Sequence, residues 1–233
     1  MVELDAYTTL RNDANLVAYW RMEGNSTDSK GSNNGTDTSI SYSTPNGKFG
    51  QGAGFNGTTS KIVLGATTLT HTSFTIMGWI NAAATPAGVM YAQGNSGDNN
   101  PIIEINFLAT QVELVNRDNS TVGLVSTPSL TLTTGLWYFI AWTCTTTASH
   151  FYVNASDIDS QTFTANTGTF NTYNIGTRQR VSNDSFFNGA IDDVSIFSRV
   201  LTPTEITNYY NATSPLFIRN ASSRQAVKRA AYY

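Results

Sequence analysis

Two histidines and one cysteine limit the chemistry that this 233-residue chain can perform. His71 and His150 have no neighbours at the spacing that a zinc site requires. Their positions also indicate no Ser-His-Asp or Cys-His arrangement of the kind used in nucleophilic catalysis. Cys144 lies within an apolar run, which predicts a buried, unreactive thiol. These three residues therefore predict neither a zinc site nor a nucleophile.

Carboxylates are the next candidates for chemistry. Hydrolysis of a glycosidic bond needs two carboxyl groups facing one cleft, about 5–5.5 Å apart in retaining enzymes. Glu104 begins the stretch of residues 104–109, which holds no second acid. Because this stretch supplies one carboxyl group and glycosidic hydrolysis needs two, we predict that the chain is not an enzyme.

Calcium binding is a second use for carboxylates, because Ca²⁺ takes six to eight oxygen ligands from carboxylates and carbonyls. Asp28 lies in a loop, residues 23–35, that is rich in Gly, Asn and Ser. Asp192 and Asp193 are adjacent in the last predicted strand. The alternative is that Asp28 caps a turn and Asp192 accepts hydrogen bonds from loop amides.

Aromatic rings are candidates for sugar binding, since the C–H-rich face of a sugar packs well on a flat ring. Trp79, Tyr91 and Trp142 are the rings that we predict to contact such a ligand. The alternative for each ring is packing in the protein core.

Composition excludes several partners. Charged residues make up only 12% of the chain and the net charge is −3, so no basic surface for nucleic acid is predicted. No stretch approaches the ~18 apolar residues of a membrane-spanning helix. The first five residues include two acids and no apolar run, so no signal peptide is predicted.

Short apolar or alternating segments, separated by Gly, Asn and Ser, predict an all-β fold built as a two-sheet antiparallel sandwich. The predicted strands are Leu16–Met22, Phe49–Asn56, Lys61–Leu64, Ser73–Asn81, Val89–Gln93, Ile102–Leu108, Gln111–Asn116, Val122–Ser126, Leu136–Thr145, Phe151–Asn154, Thr162–Ala165, Asn174–Gly176 and Phe186–Phe197. Along the strand that begins at Ser73, one face holds Phe74, Ile76 and Ile80 and is predicted to build the core between the sheets. The other face is also partly apolar, so we expect loops to cover it.

One short C-terminal helix is predicted over residues 203–210. Thr202 stands at the N-cap, Pro203 at the first helical position and Glu205 at the third, which is the pattern of a capping box. A second short helix is predicted within residues 4–14, before the first strand.

The chain divides into a lead-in segment of residues 1–14, a domain of residues 15–213 and a basic tail of residues 214–233. The tail contains Arg219, Arg224, Lys228 and Arg229 and no acid. We predict that it docks on a protein partner or a sister subunit within an oligomer or larger assembly. The alternative is a solvated appendage.

Six segments in order resemble the laminin-G-like jelly-roll domains of the concanavalin A-like lectin/glucanase type. They are the strand Leu16–Met22, the loop Asp28–Gly35, the segment Phe49–Gly57, the strand Ser73–Ile80, the hairpin Gly135–Asn154 and the closing segment Phe187–Thr202. Ala155 stands where these domains usually have Gly.

The resemblance implies a jelly roll that acts as a lectin-like module, binds carbohydrate or a cell-surface glycan, and is displayed outside the cell. It also implies that Asp28 and Asp192 jointly bind calcium. Catalytic relatives resemble Glu-x-Asp-x-x-Glu on one strand, of which this chain keeps only Glu104. Two alternatives remain: a bacteriophage decoration protein on the virion surface and, with less support, a glycoside hydrolase.

Overall fold

The computed structural model describes residues 8–65, 73–119, 123–164, 168–181 and 183–214. Within these residues the chain forms two antiparallel sheets packed face to face, which confirms the predicted jelly-roll sandwich. The strands are β1 Leu16–Trp20, β2 Gly35–Thr38, β3 Ser41–Ser43, β4 Gly52–Asn56, β5 Lys61–Leu64, β6 Phe74–Ala82, β7 Gly88–Asn95, β8 Asp98–Phe107, β9 Val112–Arg117, β10 Gly123–Ser126, β11 Trp137–Cys144, β12 Ala148–Val153, β13 Ser156–Thr162, β14 Thr172–Ile175, β15 Arg178–Gln179, β16 Asn183–Asp184 and β17 Asn188–Phe197.

The described strands form two large sheets. Sheet A has eight strands in the order β13-β12-β11-β6-β17-β4-β3, with β1 paired to the remaining part of β17. Sheet B has seven strands in the order β10-β9-β8-β7-β14-β5-β2. β15 and β16 pair with each other as a short hairpin.

The core between the sheets follows from side-chain alternation along each strand. In β6, Phe74, Ile76 and Ile80 are fully buried in the core, as their spacing predicts. Cys144, at the end of β11, lies in the same core, and burial raises the pKa of its thiol to about 12. The prediction of an unreactive cysteine is therefore confirmed.

A second apolar layer covers the outer face of sheet A. Helix α1, Pro203–Thr213, packs Ile206 and Tyr209 against Met77 and other outward side chains of the sheet. Helical residues 8–11 add Leu10 to the same layer. The sequence predicted loops over this face; the cover is largely helical because both helices present apolar residues to it.

Side chains at its N-terminal end hold α1 in place. Thr202 and Glu205 form the predicted capping box. Arg199 bonds Asp13 through its Nε at 2.9 Å and Glu205 through its Nη1 at 3.0 Å. This network joins the N-terminal segment, the end of β17 and the start of the helix.

Asp193 fixes the two helical segments to the sheet from beneath. It sits at a bulge in β17 with a φ of +57°, a left-handed conformation uncommon outside glycine. Its carboxylate accepts hydrogen bonds from the hydroxyls of Tyr19 and Tyr209 and, at 3.1 Å, from Arg11. The Asp193 carboxylate is therefore a structural anchor for both helical segments.

Two differences from the predicted strands have simple causes. The strand predicted at Thr162–Ala165 is instead β13, Ser156–Thr162, whose polar residues lack the alternation that marks a strand. β2 and β3 were missed because they are short and polar. Among the described helices, none combines the length and the apolar character needed to span a membrane.

Candidate functional site

Glu104 lies on the outer face of sheet B, since its neighbours Ile103 and Ile105 point into the core. Its side chain is nevertheless fully buried. Arg178 covers it, with 3.0 Å from Nη1 to Oε1 and 3.4 Å to Oε2. Arg178 Nε also bonds Asp184 at 2.6 Å. The guanidinium therefore closes off the one carboxylate that matches a catalytic pattern.

The hairpin of β15 and β16 carries Arg178 across this face. Thr172 in β14 donates its hydroxyl to the carbonyl of Gln179 at 2.9 Å, which fixes the hairpin to the sheet. Burial raises the pKa of Glu104 to about 7, although the attraction of Arg178 opposes the rise. The carboxyl group is thus held in a dry environment with a strong tendency to bind a proton.

A second carboxylate does reach this face from the adjacent strand. Glu113 in β9 lies directly opposite Asn106 in β8, and Asn106 Nδ2 donates to its Oε2 at 3.3 Å. The charge of Glu113 also raises the pKa of Glu104. The proximity of Glu104 and Glu113 could not be predicted from the sequence, because the two acids come from different strands. Arg178 engages both Glu104 oxygens, so the two acids do not flank an open cleft.

His150 faces outward, with 39% of its side chain exposed. Its Nδ1 lies 2.9 Å from Asp157 and 3.2 Å from the hydroxyl of Ser160. Both contacts use the same ring nitrogen, whereas a catalytic triad needs one nitrogen for the serine and the other for the acid. His71 lies outside the described residues.

Asp28 organises its own loop. Its Oδ1 accepts backbone N–H bonds from Tyr19 at 3.0 Å and Lys30 at 2.9 Å, and its Oδ2 accepts one from Asn33 at 3.0 Å. This is the turn-capping alternative that the sequence left open.

Asp192 lies on the outer face of sheet A beneath a loop. Its Oδ2 accepts backbone bonds from Lys48 at 2.8 Å and Phe49 at 3.0 Å. Its Oδ1 is buried and has no hydrogen-bond partner in the described part of the chain. Burial and the adjacent Asp193 raise the pKa of Asp192 to about 8. The Lys48 ammonium is attracted to Asp192, and burial lowers its own pKa to about 8.

These positions do not make a complete calcium shell. Asp28 and Asp192 have separate hydrogen-bond partners, and only Asp192 has an unpaired oxygen. Across the described ranges, no group of three or more His, Cys, Asp and Glu side chains is placed to hold a metal. One free oxygen falls well short of six to eight ligands. Calcium binding at Asp28 and Asp192 therefore remains a prediction from the resemblance.

Trp79, Tyr91 and Trp142 are all buried, each with at most 1% of its surface exposed. Trp142 Nε1 donates to Ser149 Oγ at 2.8 Å, inside the core. Trp79 stacks on Tyr210 of α1, with ring centroids 5.9 Å apart. A buried ring offers no free face to a sugar, so the structure corrects the prediction that these three rings bind ligand.

A groove of about 320 Å³ opens on the outer face of sheet A. Its floor comes from β4 and β17, and its sides come from residues near β3 and from the end of β6. It is lined by Ser39, Ser41, Pro45, Asn46, Gly54, Phe55, Asn56, Asn81, Ala83, Gly189 and Ala190. None of these residues is charged. The sequence analysis did not find this site, although Gly54 and Ala190 are unusually small for outward strand positions.

The predicted docking residues Arg219, Arg224, Lys228 and Arg229 lie outside the described residues.

Comparison with known families agrees with the fold. The model of the concanavalin A-like lectin/glucanases superfamily matches residues 56–207, which is more than half of the chain. The chain belongs to this family, and the resemblance seen in the sequence is confirmed.

Solved structures share the fold at low sequence identity. Domain 4 of AbnA, a GH43 extracellular arabinanase from Geobacillus stearothermophilus solved with arabinotriose, has a TM-score of 0.63 and 20% identity, with 85% of this chain and 100% of that chain covered. The binding domain of Paraclostridial Mosquitocidal Protein 1 has a TM-score of 0.69 and 17% identity, with 85% and 52% covered. The binding domain of Botulinum Neurotoxin DC, in complex with SialylT, has a TM-score of 0.63 and 15% identity, with 87% and 52% covered.

This chain therefore matches about half of each toxin chain and all of the arabinanase domain. At these identities the likeness establishes the fold alone. A comparison with curated proteins gives no match.

Proposed function

We propose that this chain is a non-catalytic carbohydrate-binding domain. The observation that carries the proposal is the buried pairing of Glu104 with Arg178, at 3.0 Å. The family includes both lectins and glucanases. A glucanase needs an acid that is open to the glycosidic oxygen, and here that acid is closed off. Binding without cleavage is the function that remains.

The carbohydrate part of the proposal is supported by the family and by two structural neighbours. AbnA domain 4 was solved with arabinotriose, and the botulinum binding domain with SialylT. The first is matched along its whole length, so it is comparable with this chain as a separate module. Because identity is low, the particular sugar is not transferred to this chain.

The test is binding of the full chain to a panel of polysaccharides by affinity electrophoresis. The panel holds galactan, arabinan, xylan and mixed-linkage glucan, with polygalacturonate as an acidic member. We expect retarded migration in at least one gel. Unretarded migration in all five gels would contradict the proposal.

Catalysis is tested on the same polysaccharides by release of reducing ends. We expect none from the wild type or from Glu104→Gln. Turnover that is present in the wild type and lost in Glu104→Gln would show that Glu104 is a catalytic acid and that Arg178 moves away from it.

A further inference from the structure

We propose that the groove on the outer face of sheet A binds neutral oligosaccharide. This inference rests on the carbohydrate-binding function proposed above and names the site and the ligand class. It places the ligand on sheet A, on the opposite side of the sandwich from Glu104 in sheet B.

The floor of the groove is a single cross-strand row. Asn81 in β6 lies opposite Ala190 in β17, and Ala190 lies opposite Gly54 in β4. Gly54 in turn lies opposite Ser41 in β3. Directly opposite residues share a face of the sheet, so the row spans three strand spacings, or about 14 Å. Its two middle positions carry only a methyl group and a hydrogen; the Asn46 amide lies against Gly54, and 7% of Ala190 is exposed at the floor of the trough.

The neighbouring row on the same face is filled. There Asp192 lies opposite Trp79, and the Lys48 ammonium lies 4.2 Å from the Trp79 ring centroid. Phe49 meets the same ring edge-on, with centroids 6.0 Å apart. The loop that carries Lys48 and Phe49 therefore closes one end of the trough, so the opening is limited to the row of small residues.

Two amides that line the groove are held by hydrogen bonds. Asn46 Nδ2 donates to the carbonyl and hydroxyl oxygens of Ser41 at 3.2 and 3.3 Å. Asn81 Nδ2 donates to the carbonyl of Gly135 at 3.1 Å. The Oδ1 atoms of both amides receive no hydrogen bond from any described residue. Sugar hydroxyls donate to acceptors of this kind.

Gly54 is required for this arrangement. A Cβ at this position would lie 2.3 Å from Asn46 Nδ2 and 2.6 Å from Ser41 Oγ. Any side chain would therefore displace the amide from the floor. The small residue keeps both the space and the acceptor in the groove.

The lining sets the charge of the ligand. Carboxylate and sulfate groups are recognised by Arg or Lys, through charge-assisted hydrogen bonds. The groove has neither residue; its polar groups are amides, hydroxyls and backbone, and they lie beside the apolar side chains of Pro45, Phe55, Ala83 and Ala190. Lys48, on the same face, lies over Trp79 in the neighbouring row and is attracted to Asp192 there, and Glu104, Arg178 and Glu113 lie on the other sheet. A neutral sugar chain matches this groove and an acidic one does not.

The experiment compares variants in the five gels described above. Ala190→Trp fills the trough, and Asn81→Ala removes one acceptor without adding bulk. Val125→Trp is the matched control, because it adds the same ring to β10 of sheet B, where Val125 is 55% exposed. Thermal unfolding confirms that each variant is folded. Asn81→Ala keeps the test valid if Ala190→Trp does not fold.

We expect binding to a neutral polysaccharide to weaken at least tenfold in Ala190→Trp and about fivefold in Asn81→Ala, the effect of one hydrogen bond. Val125→Trp should bind as the wild type does. Wild-type binding that survives both groove variants would overturn this site and leave the proposed function intact. Stronger retardation by polygalacturonate than by galactan would overturn the neutral class. No binding by the wild type would overturn both proposals.

Discussion

Arg178 and Glu104 are 74 residues apart in the sequence, yet their side chains form an ion pair of 3.0 Å on the outer face of sheet B. Glu104 is fully buried, and 16% of the Arg178 side chain is exposed. The pair connects the β15–β16 hairpin to the middle of β8. It therefore affects both the stability of the fold and the accessibility of the acid.

Removing the cation should destabilise the protein strongly. At pH 8, above the pKa of Glu104, Arg178→Met leaves the Glu104 carboxylate buried without its cation, and breaking a buried pair in this way typically costs about 3–5 kcal/mol. We expect a loss near the lower limit, because Arg178 is partly exposed. Urea unfolding measures it. Arg117→Met is the control: among the described residues Arg117 bonds the backbone carbonyls of Asn100 and Asn99, at 3.0 and 3.1 Å, and its removal should cost less. Equal losses would contradict this role for the pair.

Stability should depend on pH through Glu104. Burial raises its pKa from 4.5 to about 7 in the folded protein. Between these pH values Glu104 is ionised in the unfolded chain but keeps its proton in the folded chain. Its contribution to the free energy of unfolding is therefore full below pH 4.5 and is lost as the pH rises through 7. The shift corresponds to about 3 kcal/mol. Asp192 acts in the same direction, since its pKa is raised to about 8.

The measurement that separates the two acids is urea unfolding from pH 4.5 to pH 8 for the wild type and Glu104→Gln. The difference between their free energies of unfolding isolates Glu104. We expect the variant to have the flatter profile. Parallel profiles would show that Glu104 titrates normally.

The resemblance predicts that Asp28 and Asp192 bind calcium, and the two carboxylates have different surroundings in the structure. Asp192 has the unpaired oxygen, whereas the Asp28 oxygens bond loop amides. If calcium binds, it should stabilise the wild type by about 2.7 kcal/mol at 100 times the Kd and give no gain in Asp192→Asn. Asp28→Asn should also reduce the gain from calcium, and it should lower the Tm in EDTA as well, because its oxygens accept bonds from loop amides. Identical wild-type melting curves in the two solutions would exclude the site.

The basic tail, predicted from sequence to dock on a partner or sister subunit, is tested by truncation after Thr213. We expect the full chain to form an oligomer or join a larger particle, and the truncated chain to remain a monomer in native mass measurements. A full-length variant in which Gln replaces all four basic residues tests the charges alone; these residues are Arg219, Arg224, Lys228 and Arg229. Equal assembly of the full and truncated chains would show a solvated appendage.

The sequence by itself determined most of the core strands, their inward faces and the start of the C-terminal helix. Alternation along β6 predicted which side chains enter the core, because successive residues of a strand point to opposite faces. The capping box predicted the start of α1, because Thr202 and Glu205 bond each other's backbone locally. The turn at Asn56 and Gly57 also depends on neighbours: Asn56 Oδ1 accepts the amides of nearby residues and Gly57 has a φ of +76°.

Only the tertiary structure decided what covers each outer face. Trp79 points outward, as its position in β6 requires, yet it is buried because α1 and the loop with Phe49 pack on it. The groove at Ala190 is bounded by the Asn46 amide, whereas Lys48 and Phe49 of the same loop cover Trp79 in the neighbouring row. The physical reason is the same in both cases. Alternation assigns a side chain to a face through its immediate neighbours, whereas cover is supplied by segments far away in the chain, whose position depends on the packing of the whole sandwich.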